Sequence, residues 1–164
     1  MTTAQLSAAL VAKGTGSVAL TNPHDPDAFY KTRAGLYVYP AFRDRIVPRA
    51  KPTQSASTVT LPRFVLKRDA PDKDIEAALG AYPGLAAHHL FTETEVCWIV
   101  AEMIGKQEGG AAGDLDNTGE VNLFYTLSCV VSVDWRAVGR GWGVDAWRRD
   151  GCGWSAGRSA FSRN

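Results

Sequence analysis

The sequence predicts an α+β fold: a C-terminal antiparallel β-meander packed by an amphipathic helix, with an irregular N-terminal half that carries short edge strands. Three observations predict it. Apolar and polar residues alternate through residues 121–147, the pattern of a sheet with one buried face. Residues 96, 99, 100 and 103 are apolar at helical spacing and follow a capping box. Before residue 68, two extended stretches are each interrupted by a proline, Pro40 and Pro62, which the centre of a sheet does not accept.

Taken in order, residues 3–12 are expected to form a short helix ended by Gly14 and Gly16. Residues 21–26 hold two prolines and polar turn formers, and read as loop. A helical turn is expected at residues 27–32. Leu36, Val38 and Pro40 then alternate with Tyr37, Tyr39 and Ala41, which predicts a strand that Pro40 ends or confines to an edge. A basic stretch, residues 43–51, leads into a polar loop. Residues 58–67 are again strand-like, and Pro62 predicts an edge position. Residues 71–79 read as a helix with Asp72 and Asp74 in its first turn and Gly80 as its stop. Thr92 and Glu95 form the capping box of the next helix, Phe91 and Val96 occupy the staple positions around it, and Gly105 closes it. Residues 107–120, rich in glycine and acid, read as loop. In the meander Trp135 and Trp142 are expected to face the helix, and Trp147 the opposite, solvated side.

At 164 residues the chain suits a single domain, 1–164, with a basic irregular region (1–68), an acidic helical region (69–119) and the meander (120–164). The net charge of +1 conceals a segregation. Residues 1–68 carry ten Lys/Arg and three Asp/Glu, residues 69–120 two and eleven, residues 121–164 six and three. Either these segments neutralise one another in the fold, or a basic face meets an acidic partner. No run approaches the ~18 apolar residues of a membrane span. The apolar run at residues 6–11 has no basic residue ahead of it, so a secretory signal is not expected. Cys97, Cys129 and Cys152 are odd in number and form no C-x-x-C pair, which points away from a disulfide framework and towards a cytoplasmic protein.

Four chemical readings arise. Residues 153–157, GWSAG, match a nucleophile elbow, but no acid or histidine follows them, so a tight turn is expected. Residues 114–120 resemble the start of a calcium loop, yet Tyr125 stands where the bidentate glutamate belongs. His88 and His89 are adjacent and diverge on any regular element, and a Cys97–His89 dyad is disfavoured because an apolar helix surrounds the thiol. No catalytic residue, metal or cofactor is therefore assigned. The fourth reading is a surface that interleaves tryptophan with arginine, with Trp147, Arg148, Arg149, Trp154, Arg158 and Arg136 as candidate binding residues. Such residues anchor protein interfaces. They also stack bases and pair phosphates, although a net +3 over residues 121–164 is a weak nucleic-acid footprint. Alternatively, tryptophans fill the core while arginine stems lie over them.

The strings NLFYT, VVSVDW, GRGWGVDAW and GWSAGRSAFSRN resemble the ending of a scattered group of small, functionally uncharacterised bacterial and phage-borne proteins, with a similar N-x-F-Y, G-W-x-V and W-x-A-G-x-x-x-F-S-R run. That resemblance implies no activity and no functional residue, and weighs against an enzyme. The function expected is a non-enzymatic protein-interaction module, phage- or mobile-element-encoded, whose partner is an unknown protein. A nucleic-acid-binding protein is the alternative.

Overall fold

Seven segments join one mixed sheet in a computed structural model that describes residues 9–82 and 89–163. They are β1 (Leu10–Leu20), β2 (Leu36–Val38), β3 (Ser57–Leu66), β5 (Asn122–Tyr125), β6 (Cys129–Arg136), β7 (Gly141–Arg148) and β9 (Ser159–Phe161). A separate two-stranded ribbon pairs β4 (Ala70–Pro71) with β8 (Gly153–Trp154). The helices are α1 (Pro26–Phe29), α2 (Pro40–Arg45), α3 (Asp72–Ala81) and α4 (Glu93–Lys106). The strand order is β1-β3-β9-β5-β6-β7-β2. The pairs β9–β5 and β7–β2 are parallel, and the other neighbours are antiparallel.

The first expected helix is corrected. Residues 3–8 lie outside the described residues, and residues 10–20 are strand β1. Its register against β3 shifts between Ala12 and Gly14, leaving Lys13 as the extra residue of a bulge, with Gly14 at φ 120°. One inserted residue reverses the alternation of faces. Leu10 therefore packs in one core, whereas Val18 and Leu20, also even-numbered, pack in the other.

Pro40 ends β2 at the sheet edge, as its chemistry predicts, and also opens α2 as a first-turn proline. Pro62 is a correction: β3 is interior, between β1 and β9. The Pro62 carbonyl accepts from the Ser162 N–H, so the missing proline N–H points to the same side, just where β9 stops. No ladder bond to β1 is lost.

Helix α4 begins with both halves of the capping box. Glu95 N–H donates to Thr92 Oγ1 (3.1 Å) and Thr92 N–H to a Glu95 carboxylate oxygen (2.9 Å). It runs one residue past Gly105, and α3 likewise runs through Gly80 to Ala81. Val96, Ile99, Val100 and Met103 lie in a core with Val18 and Leu20 of β1, Phe124 of β5, Val131 and Val133 of β6, and Trp142 and Val144 of β7.

The expectation of one buried and one solvated face does not hold at the centre of the sheet. All four residues of β5 are buried. Leu123 and Tyr125 of β5, Val130 of β6 and Ala160 of β9 form a second core with Ile75, Ala78 and Leu79 of α3. Two helices thus sandwich the central strands, as a run like NLFY with apolar residues on both faces requires. Among the described residues, that second core takes no member from β7 or β2. The face opposite α4 is therefore left open at that edge.

Gly110 closes the turn after α4 at φ 77°, with the Trp135 ring against it; a Cβ there would lie 2.4 Å from a ring carbon. Gly109 has φ 65° but open space. Gly109→Ala is expected to lose about 1 kcal/mol, the conformational cost alone. Gly110→Ala should lose roughly 2–4 kcal/mol, because overpacking adds to that cost. Urea unfolding of the two variants measures the difference.

Candidate functional site

The open edge of the sheet displays the outward residues of β2, β7 and β6. Ser132, Asp134 and Arg136 of β6 alternate with inward Val131 and Val133, and Asp145 and Trp147 of β7 with Val144 and Ala146. Trp147 is 42% exposed, although its indole N–H donates to Ser132 Oγ at 2.9 Å. The bond holds the ring in place without burying it. Tyr37, on β2, is 44% exposed and meets Tyr39 edge-on at 4.7 Å. The Arg136 guanidinium lies over both rings, 5.5 Å from Tyr37 and 4.8 Å from Tyr39, and its Nε is 3.4 Å from Asp134. Burial raises the carboxyls of Asp134 and Asp145, and the charge of Asp145 raises Asp134 further. Between them Gly143 leaves no room: a Cβ would lie 2.8 Å from an Asp134 oxygen.

A second group surrounds the start of α3. Asp72 is buried, and its carboxylate accepts from Tyr125 Oη (3.0 Å), Trp154 Nε1 (2.6 Å) and the Cys152 backbone N–H (3.2 Å). Desolvation still holds its carboxyl above the ordinary value, partly offset by these donors. One turn along, Glu76 makes a two-pronged ion pair with Arg149, which also donates to the Leu127 carbonyl. Asp72, Glu76 and Arg149 line a cleft of about 770 Å³ with His89, whose ring lies against Gly80. Cys152 is in the same cleft, but burial and then Asp72 raise its thiol, the reverse of what a nucleophilic cysteine needs. The Cys97 thiol is raised well up by burial in α4.

The six candidate residues therefore do not form one patch. Trp147 and Trp154 meet edge-to-face at 6.1 Å, with Trp154 half-buried on Asp72. Arg149 is held by Glu76, and Arg158 by an ion pair with Glu120. Arg136 stands on the tyrosines further along the sheet. Arg148 is exposed, and its place in β7 puts it on the α4 side, opposite Trp147. Tyr37, Tyr39 and Asp72 carry no sequence signal for this site. The tyrosines arrive through a parallel pairing of β2 with β7, more than a hundred residues away.

The remaining motifs resolve into turns and core. Residues 153–157 continue β8 into a turn fixed by Ala156 N–H to Asp69 and Gly157 N–H to the Leu66 carbonyl, with Gly157 at φ 90°. Asp116 accepts from Thr118 N–H and Oγ1 and pairs with Arg63 at 3.7 Å, while Asn122 ties the same loop to β6. His24 is buried beside Phe29 and Tyr30, and burial lowers its basicity. His88 lies outside the described residues. The chain matches no family model, no curated protein and no solved structure with which it was compared.

Asp72→Ala removes the acceptor of Tyr125 and Trp154 together and is expected to cost roughly 2–4 kcal/mol. A pH series against Asp72→Asn reads the carboxyl itself. Because the folded value lies above the ordinary 3.8, the folded state holds the proton more tightly. The stability of the wild type relative to Asp72→Asn should then be greatest below about pH 4 and fall as pH rises through the folded value.

Proposed function

We propose that this protein is a cytoplasmic, non-enzymatic interaction module, of the kind carried by phages and mobile elements, and that it holds a protein partner on the open sheet face. The observation that carries this reading is the exposure of Trp147 and Tyr37 on strands whose opposite side is packed by Leu36, Val38, Trp142, Val144 and Ala146. Both rings are fixed before any partner arrives, Trp147 by Ser132 and Tyr37 by Tyr39 and Arg136. Rigid aromatic side chains lose little freedom on binding, which is why they serve as anchors. The partner that fits is a protein surface with an apolar centre and a basic group able to meet Asp134 and Asp145.

Nucleic acid is the second reading, and the charges weigh against it. Arg149 and Arg158 would have to leave Glu76 and Glu120 to reach phosphate, and the open face itself carries two aspartates. An enzyme is third. The buried carboxylate of Asp72 is committed to three internal donors, and the Cys152 thiol is raised.

Trp147→Ala and Tyr37→Ala should each fold as the wild type does in urea and weaken capture of the partner from host lysate by about tenfold or more. A partner retained equally by wild type and both variants would remove the sheet face from consideration. Oligonucleotide retardation at low salt that weakens steeply as salt rises would instead establish the nucleic-acid reading.

A further inference from the structure

Beside the open face, where the β6–β7 turn meets the residues leading into β2, lies a small cavity of about 220 Å³. Two of the residues that line it are arginines, Arg33 and Arg136, and none is acidic. Its remaining walls include Gly35, Gly139 and Gly141, so much of the lining is main chain. The close approach is built in: a Cβ on Gly141 would lie 3.0 Å from the Gly35 carbonyl carbon, and Trp142 N–H donates to the Gly35 carbonyl at 2.9 Å.

Both guanidinium groups are held by protein partners. Arg33 donates through one terminal nitrogen to the carbonyls of Phe29 (2.5 Å) and Lys31 (3.2 Å), and its guanidinium lies 4.8 Å from the centre of the Phe29 ring. Arg136 rests on Tyr37 and Tyr39, and only its Nε is turned to Asp134. Among the described residues, the second terminal nitrogen of Arg33 and both terminal nitrogens of Arg136 have no hydrogen-bond acceptor. Two pre-positioned cations with unused donors, in a concave site without a carboxylate in its wall, call for an anion.

We propose that this cavity is a phosphate site, taking a phosphoryl group between Arg33 and Arg136. One guanidinium fork engages both oxygens of a carboxylate and leaves only their second lone pairs to another donor. A phosphoryl group offers the second arginine a third oxygen of its own, and its near-dianionic charge matches two arginines where the single charge of a carboxylate does not. Glu108 borders the adjoining cavity, which shares Arg33 and Gly35, and Asp134 stands behind Arg136. These acids limit the site to a compact anion and disfavour a long polyanion.

The test is an NMR titration of the intact protein that follows backbone amides of residues 33–37 and 139–141 and the arginine Nε–H signals. Inorganic phosphate should shift these signals saturably, sodium acetate at equal ionic strength should not, and Arg136→Gln and Arg33→Gln should each weaken binding about tenfold or more. Arg33 also closes off carbonyls after α1, so Arg136→Lys serves as the second variant: it keeps the charge, loses the fork, and should weaken binding comparably. Equal shifts with acetate, or wild-type affinity in Arg136→Gln and Arg136→Lys, would overturn the assignment. A phosphoserine tripeptide that binds more tightly than inorganic phosphate places the group on a protein partner, and equal affinity places it on a free ion. The site does not depend on Trp147, so Trp147→Ala should bind phosphate as the wild type does even where partner capture is lost.

Discussion

The buried carboxylate of Asp72 is the joint on which the second face of the sheet depends. It stands in the first turn of α3 and gathers donors from β5, from β8 and from the main chain before β8. That joint fixes the start of α3, whose Ile75, Ala78 and Leu79 pack in one core with Leu123 and Tyr125. A buried charge is costly unless its donors are in place, and here three donors come from two distant parts of the chain, Tyr125 and residues 152–154. The position of α3 in turn decides what it leaves uncovered. Trp154 is fixed by the same carboxylate and meets Trp147 edge-on, so the open face begins where the Asp72 network ends.

The charge segregation of the sequence is answered in part inside the fold. Arg63 pairs with Asp116, Arg149 with Glu76, Arg158 with Glu120 and Arg163 with Glu95, each joining the acidic middle of the chain to a basic flank. Half-exposed pairs of this kind add little stability individually, about 0–1 kcal/mol. Their effect is on availability: they occupy arginines that would otherwise be free to bind phosphates. Arg33 and Arg136 differ because carbonyls and aromatic rings hold them and leave donor nitrogens unused.

Local chemistry made the start of α4 legible to the residue and its end to within a residue or two, because a capping box and an apolar stripe are both short-range signals. The inward placement of Trp142, Val144, Val131 and Val133 was legible for the same reason, since alternation is local. Strand β1 was not: of the two glycines that read as a helix stop, Gly14 follows the bulge residue Lys13 and Gly16 lies within the ladder, and a bulge depends on the partner strand. Pro62 misled because proline excludes a residue only on its N–H side, and the end of β9 happens to lie there. The second core was partly readable, since Phe124 and Val130 occupy positions that a solvated face would give to polar residues. For the candidate site, Trp147 followed from alternation, whereas Tyr37 reaches Arg136 and Asp72 reaches Tyr125 and Trp154 through pairings and bonds that span tens of residues or more. No local pattern encodes such a meeting.

The place of β9 has a consequence for how the protein comes into being. Among the described residues, Ser159–Phe161 alone bridge β3 on one side and β5 on the other. During synthesis the antiparallel β1–β3 pair and the β5–β6–β7 unit precede β9 as two half-sheets, each with an inner edge that β9 pairs in the fold, and the two are not joined until residue 161 is free. Exposed edges of that kind recruit other strands. The interval between the two halves appearing and the last strand sliding between them is therefore when a nascent chain is most exposed to mispairing, and its length sets how much the cell must guard it.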